Sequence, residues 1–173
     1  MNDPLLVTYA SKYGATQEVA EAIATALSER GLNVNLLPVR QVRSLGEYGP
    51  VVLGAPLYIG RWPGEVGQFL ARFQPELARR QVAVFTLGPT QAGDKDWQGA
   101  RDQLDQELAR YPWLKPVKVE LLGGKYDPAR LRFPDSLLAK LPASPLYQLP
   151  PSDQRDWTAI RAWADDVYAG LAT

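Results

Sequence analysis

Short apolar runs alternate with longer stretches of helical periodicity along most of the chain. Continuous apolar runs of this length are typical of buried strands, and they occupy residues 5–10, 34–37, 50–55, 82–87 and 117–122. Apolar residues recur at helical spacing over residues 19–27, 66–77, 97–108 and 157–171. The link over 41–49 is short for a full helix and predicts only a turn or two.

Strands that alternate with helices predict an α/β protein with a parallel sheet and helices on both faces, joined by right-handed crossovers. Five strands of this kind suit a doubly wound five-stranded parallel sheet in the order 2-1-3-4-5. Gly31 follows the first helical stretch, where a helix commonly ends on a glycine. We expect a single domain over residues 1–173.

One segment does not fit a plain version of this fold. Residues 124–151, which we call the insert, lie between the fifth strand and the last helix and contain six of the fifteen prolines. Residues 134–141 predict a short helix with proline at its first position, and long connections are often functional. Two interpretations of the insert leucines stay open: they cover a sheet face, or they lie with Arg130, Arg132 and Lys140 on a bilayer surface.

The composition excludes several kinds of chemistry. The chain has no cysteine and no histidine, so disulfides, thiolate nucleophiles, Cys/His zinc sites and a histidine base are all absent. Redox chemistry would need an organic cofactor, and we predict no catalytic side chain and no metal site. The net charge of zero argues against nucleic acid as a partner. No basic leader and no apolar run near the roughly 20 residues of a membrane span are present, so we expect a cytoplasmic protein.

Three loops would meet at the carboxyl edge of the sheet, where open parallel sheets bind ligands. The loop 11–16 offers two hydroxyl groups, Gly14 and a string of backbone N–H groups before a helix, which suits a phosphate; the alternative is an ordinary capped turn. The loop 56–63 carries Tyr58 and Trp62, which either stack on a flat heterocycle or pack over the sheet edge. The loop 88–96 supplies hydroxyls and a flexible backbone.

The segment Ser11-Lys12-Tyr13-Gly14-Ala15-Thr16 resembles the flavodoxin phosphate loop, T/S-x-T-G-x-T, with Tyr13 in place of the middle threonine. Segments 54–62, 87–89, 123–127 and 155–164 are similar to flavodoxin-domain proteins of the group that includes menaquinone-dependent protoporphyrinogen IX dehydrogenase. The proline-rich insert also fits that group. The resemblance implies a flavodoxin-like fold with an insert between strand 5 and the last helix.

The same resemblance implies FMN as the cofactor, with its phosphate at 11–16 and its ring between loops 57–62 and 86–90. Gly60 holds the position of the family glycine whose peptide carbonyl turns toward flavin N5 as the ring is reduced. No second aromatic is evident in 86–94, which leaves one ring face open. The predicted cofactor contacts are Ser11, Lys12, Tyr13, Gly14, Ala15, Thr16, Leu57, Tyr58, Ile59, Gly60, Trp62, Thr86, Leu87, Gly88, Pro89 and Thr90.

These features predict an FMN-binding redox protein, either an electron carrier or a flavin-dependent oxidoreductase. Its partner would be a redox protein or a small-molecule or quinone substrate, with no membrane span and with peripheral membrane contact as an open alternative. Two other functions remain: menaquinone-dependent protoporphyrinogen IX dehydrogenase acting in heme biosynthesis, and a cofactor-free interaction domain of the same fold. Flavodoxins are typically strongly acidic, whereas this chain is neutral, so steering toward a basic partner is not supported.

Overall fold

A computed structural model describes residues 3–171. In chain order the strands and α-helices are β1 (Leu5–Tyr9), α1 (Ala15–Glu29), β2 (Val34–Pro38), β3 (Val51–Pro56), α2 (Gly64–Arg72), α3 (Gln74–Leu77), β4 (Val82–Leu87), α4 (Asp94–Ala109), β5 (Lys118–Leu122), β6 (Lys125–Tyr126), α5 (Asp135–Leu138), β7 (Ser152–Asp153) and α6 (Trp157–Leu171). Short 3₁₀ turns occupy Val39–Gln41 and Pro128–Arg130. The alternation of strands and helices follows the predicted order.

The five long strands form one parallel sheet in the order β2-β1-β3-β4-β5. The interior strand β1 pairs on both sides, so that Val7 lies opposite Leu36 of β2 and Val52 of β3. Every residue of β1 and β4 is buried, which is why these strands are continuous apolar runs in the sequence. The predicted flavodoxin-like architecture is therefore confirmed.

Two separate apolar clusters cover the two faces of the sheet. Successive residues of a strand point to opposite faces, so Leu6 and Val7 belong to different clusters. Helices α1 and α6 cover the face that contains Val7, where Trp163 meets the Phe85 ring edge-on with centroids 5.8 Å apart. Helices α2 and α4 and the link 39–48 cover the other face. The sheet is thus closed on both sides by burial of apolar side chains.

Local signals account for how two of the helices end. Gly31 has a φ of 89° and its N–H donates to the carbonyl of Ser28, while the N–H of Leu32 donates to that of Leu27. This is the Schellman pattern predicted for a glycine that ends a helix. The single helix predicted over 66–77 is instead two helices, because Pro75 has no N–H and its ring crowds the preceding turn.

The insert leaves the sheet and returns to it through a small antiparallel ribbon. Strands β6 and β7 pair Tyr126 with Ser152, and between them the chain forms a 3₁₀ turn, the short helix α5 and a series of turns. Of the described residues, none between 123 and 159 belongs to either core cluster. The interpretation that the insert leucines cover a sheet face is therefore wrong, and the bilayer alternative stays a prediction. Among residues 3–171, no helix has the length and apolar character needed to cross a membrane.

Candidate functional site

A cavity of about 880 Å³ lies at the carboxyl edge of the sheet, within the size range of small-molecule sites. The loops after β1, β3, β4 and β5 form one side of it, as the topology predicts. Helix α4 and the insert complete the lining. The insert contributes the apolar residues Leu131, Leu138, Leu141, Ala143, Pro145, Leu146 and Leu149, together with the polar or charged Lys125, Asp127, Arg130 and Ser144.

The loop after β1 presents the amino end of α1 to this cavity. Gly14 stands at the N-cap position with a φ of 91°, and no side chain caps the helix. Ser11 Oγ instead accepts the Gly14 N–H at 3.1 Å, which closes the loop onto itself. Thr16, in the first turn, is buried and lines the cavity. The first-turn amides and the positive end of the helix dipole favour an anion here.

Lys12 and Tyr13 of the same loop face the insert. Lys12 Nζ lies 2.6 Å from Oδ2 of Asp135, and the Tyr13 hydroxyl donates to the same oxygen. Burial alone would raise the pKa of Asp135, but hydrogen bonds from Lys12, Tyr13 and Tyr58 outweigh it and hold this pKa below the usual range. The charge of Lys12, expected to assist a phosphate, is therefore balanced by a carboxylate of the insert.

The loop after β3 is a tight turn. The N–H of Tyr58 donates to the Arg61 carbonyl at 2.7 Å and the Arg61 N–H donates back at 3.1 Å. Both central residues have positive φ, 49° at Ile59 and 73° at Gly60, as in a type I′ turn. Glycine adopts this conformation freely, whereas a β-branched residue does not. Arg61 donates to the buried Glu107 at 3.0 Å, which ties the turn to α4.

Trp62 packs into the core, away from the cavity lining. It is 5% exposed, its indole N–H donates to Thr86 Oγ1 at 3.0 Å, and its ring stacks on Tyr111 with centroids 6.0 Å apart. The tight turn reverses the chain before Trp62, so the indole is directed inward and its N–H finds a buried acceptor. The two residues hold the loop to the sheet outside the cavity lining, and their contact with the flavin stays a prediction.

The loops after β4 and β5 approach each other closely beside the cavity, at Gly88 and Gly124. A Cβ on Gly124 would lie 2.7 Å from the Gly88 carbonyl oxygen, so only glycine permits this contact. Two polar atoms of cavity-lining residues have no hydrogen-bond partner in the described structure: the buried Tyr126 hydroxyl and Gln91 Nε2. Both residues line the cavity. Buried polar groups are normally paired, so a ligand with polar atoms at this point fits the site.

Most of the predicted cofactor residues come together around this cavity. Those in its lining are Ser11, Lys12, Tyr13, Ala15, Thr16, Leu57, Tyr58, Ile59, Gly60, Leu87, Gly88, Pro89 and Thr90. Gly14 shapes the loop without lining the cavity. Sequence reasoning missed Gln91, Tyr126 and Asp135. The pair Gly123-Gly124 at the end of β5 was a usable signal for Tyr126, but no local pattern marks Asp135.

The fold and this site define an α/β protein with a phosphate-type anion site beside a partly apolar cavity. The family model described as "Flavodoxin domain" matches residues 6–145, and the chain belongs to that family. FMN is the cofactor of this domain, as predicted, and the sequence-based alternative of a cofactor-free domain is set aside. The uncapped helix end and the two unpartnered polar atoms are compatible with FMN.

Two curated proteins resemble parts of the chain. "Bifunctional cytochrome P450/NADPH--P450 reductase 1" of Bacillus subtilis (strain 168) is 31% identical over 117 residues, which cover 62% of this chain and 11% of that protein. "NAD(P)H dehydrogenase (quinone)" of Acidovorax ebreus (strain TPSY) is 28% identical over 119 residues, 53% of this chain and 60% of that protein. The chain therefore spans less than two thirds of either relative.

Solved structures support the fold over nearly the whole chain. A mutant of flavodoxin from Pseudomonas aeruginosa superposes with a TM-score of 0.60 at 18% identity, covering 98% of this chain and 99% of that one. Rubredoxin oxygen:oxidoreductase from Desulfovibrio gigas gives 0.54 at 14% identity, covering 99% of this chain and 38% of that one. At these identities the likeness concerns the fold alone.

Proposed function

We propose that this FMN redox protein passes electrons to a small apolar acceptor of the quinone class, which enters the cavity between the Tyr58 turn and the insert. The observation that carries the proposal is that five leucines of the insert, Leu131, Leu138, Leu141, Leu146 and Leu149, line the same cavity as the predicted flavin loops. An apolar wall beside a redox cofactor favours an uncharged, partly hydrophobic reactant. The relative named for quinone reduction points to the same class.

Different residues of the chain would hold the phosphate and the ring of FMN. The first-turn amides of α1 would hold the FMN phosphate, and Tyr58 would lie against the ring. Tyr126 would supply the second aromatic that the loop after β4 lacks, and its unpartnered hydroxyl would meet a polar atom of the flavin. When bound, FMN would supply the redox chemistry, namely two electrons for a quinone that also takes up two protons and becomes a hydroquinone, while the cofactor returns to its oxidised form.

A matched pair of leucines tests the acceptor site. Leu141 lines the cavity and is 45% exposed, whereas Leu137 is 50% exposed and does not line it. We expect Leu141→Ser to raise the KM for a short-chain quinone, with the FMN already reduced anaerobically, and Leu137→Ser to leave it unchanged. Equal effects in both variants, or faster reoxidation by cytochrome c than by quinone, would contradict the small-molecule acceptor and favour a protein partner.

The narrower role, oxidation of protoporphyrinogen IX with menaquinone as the acceptor in heme biosynthesis, is a second candidate. Exposed apolar side chains favour a large apolar reactant: Ile59, which lines the cavity, is 85% exposed, and Phe133 of the insert is 78% exposed. FMN bleaching on anaerobic addition of protoporphyrinogen IX, with formation of protoporphyrin, is the expected result. An FMN that is reduced by other donors and stays oxidised with protoporphyrinogen would exclude this role while leaving quinone reduction in place.

A further inference from the structure

A buried carboxylate fastens the insert to the loop after β1. The Asp135 side chain is 3% exposed. Its Oδ2 atom accepts from Lys12 Nζ at 2.6 Å and from the Tyr13 hydroxyl, both in the loop after β1. One side chain of the insert therefore binds two consecutive residues of that loop.

A second residue of the insert strengthens this attachment. The Arg132 guanidinium donates to the backbone carbonyl of Lys12 and lies 5.4 Å from the centroid of the Tyr13 ring. The Lys12 ammonium in turn lies 4.7 Å from the centroid of the Tyr58 ring. By contrast, the backbone bonds that follow α5 run within the insert itself, as from Leu141 to the carbonyl of Leu138. The far end of the insert is therefore held to the loop after β1 through residues 132–135.

These contacts are costly to break and do not improve phosphate binding. A buried carboxylate that loses its donors is left desolvated and unpaired, which is strongly unfavourable. The carboxylate also balances the charge of Lys12, beside the predicted phosphate loop, so it weakens rather than strengthens the attraction of that loop for an anion. Electrostatic attraction to FMN therefore does not explain why Asp135 is placed here.

We infer that Asp135 is a positioning residue that clasps the insert over the flavin cavity, and that FMN leaves the protein only when this clasp opens. The insert leucines and the predicted flavin loops line the same cavity, so moving the insert away opens the site. The inference depends on FMN in this cavity and not on which molecule accepts the electrons. The insert then sets how slowly FMN leaves, whereas the amino end of α1 recognises the phosphate.

The rate at which flavin leaves the loaded protein tests the clasp. Release of FMN and of riboflavin is followed by the rise in flavin fluorescence after mixing with excess flavin-free trap protein. Asp135→Asn is expected to speed the release of both flavins about tenfold or more, the size of a lost charge-assisted hydrogen bond. Asp165→Asn is the control, because Asp165 is exposed and pairs with Arg30 at 2.7 Å, outside the cavity lining.

Two further measurements keep the test decisive. Arg132→Met removes the second attachment without touching the cavity lining, and is expected to speed release in the same direction if Asp135→Asn does not fold. Amide hydrogen exchange of Ser136 and Leu138, which donate within the insert, is expected to quicken in the flavin-free variants. If both flavins leave these variants at the wild-type rate, the inference is wrong. It is also wrong if FMN alone leaves Asp135→Asn more slowly, because Lys12 would then be free to attract the phosphate.

Discussion

The sheet and the insert both contain apolar side chains, but they are stabilised in different ways. Every residue of β4 is buried between two layers of helices. In the insert, Phe133, Leu137 and Leu141 are 78%, 50% and 45% exposed. Burial of apolar area is non-directional and spread over many contacts, whereas the insert depends on a few directional bonds to Asp135 and on the β6–β7 ribbon.

The two regions therefore tolerate different amino-acid substitutions. A sheet held by many small contacts loses its fold only when the backbone packing itself is disturbed. The insert is attached through Asp135, Arg132 and the β6–β7 ribbon, so we expect a single isosteric substitution at Asp135 to loosen it while the sheet keeps its structure. The region that lines the cavity thus depends on fewer contacts than the sheet does.

The largest effect is expected in the sheet, at Gly54. A Cβ there would lie 2.0 Å from Cζ of Phe85 on the neighbouring strand, and the ring is fixed against Trp163. Gly54→Ala should therefore destabilise the chain by about 3 kcal/mol or prevent folding. Urea denaturation measures this. Gly99→Ala in α4, where nothing lies within 4 Å, is the control and should gain about 0.5–1 kcal/mol.

Deleting residues 131–147 separates the two regions directly. The β6–β7 ribbon brings Tyr126 opposite Ser152, so the cut ends stay close and the sheet is expected to remain folded. The shortened protein should still bind FMN, but more weakly and with a changed preference among oxidants, because the apolar wall is gone. Circular dichroism and FMN titration check both points. An unfolded product would show that the insert belongs to the core.

Thr16→Ala probes the cofactor on the sheet side of the cavity. Loss of one hydrogen bond to a charged phosphate should cost about 1.5–3 kcal/mol, or roughly ten- to a hundred-fold in FMN affinity. Riboflavin, which has no phosphate, should lose far less. Titrations of the apoprotein with both flavins give the comparison, and equal losses would contradict a phosphate at the amino end of α1.

Acid should loosen the insert before it affects the sheet. Because the folded pKa of Asp135 is lowered, its stabilising effect is fully present above the unfolded value of about 3.9 and is lost as the pH falls through the folded pKa. Urea denaturation between about pH 5 and pH 2 should show wild type losing more stability than Asp135→Asn. Wild type should also lose more stability than Asp153→Asn over this pH range. This difference should be smaller, because the Asp153 carboxylate is 40% exposed beside Arg155.

The smallest effect is expected at the tight turn of residues 58–61, which follows β3. Ile59 is 85% exposed and holds a φ of 49°, which asparagine adopts more readily than a β-branched residue. Ile59→Asn should therefore raise the free energy of unfolding by about 1 kcal/mol. Thermal denaturation of the apoprotein is the measurement, and a lower melting temperature would show that the exposed side chain stabilises the loop by contacts.

Much of the sheet side was predictable because its signals are local. Continuous apolar runs marked the buried strands, the helical spacing of Val19, Ile23 and Leu27 marked α1, and Gly31 marked its end. The hydroxyl-flanked loop 11–16 pointed to an anion at the amino end of α1. The extent of the domain over 1–173 and the individual FMN contacts stay predictions.

The tertiary structure alone decided where several side chains point. Trp62 and Tyr58 belong to the same loop, yet the tight turn directs Trp62 into the core and leaves Tyr58 in the cavity lining. Asp135 forms an ion pair with Lys12, which lies 123 positions away in the sequence. Periodicity reports which residues share a face of one element, but the partner of a single buried carboxylate depends on how distant segments are brought together. The sequence by itself therefore determined the sheet and the loop 11–16 before α1, whose phosphate stays a prediction, and only the folded chain could show that the insert is fastened to that loop.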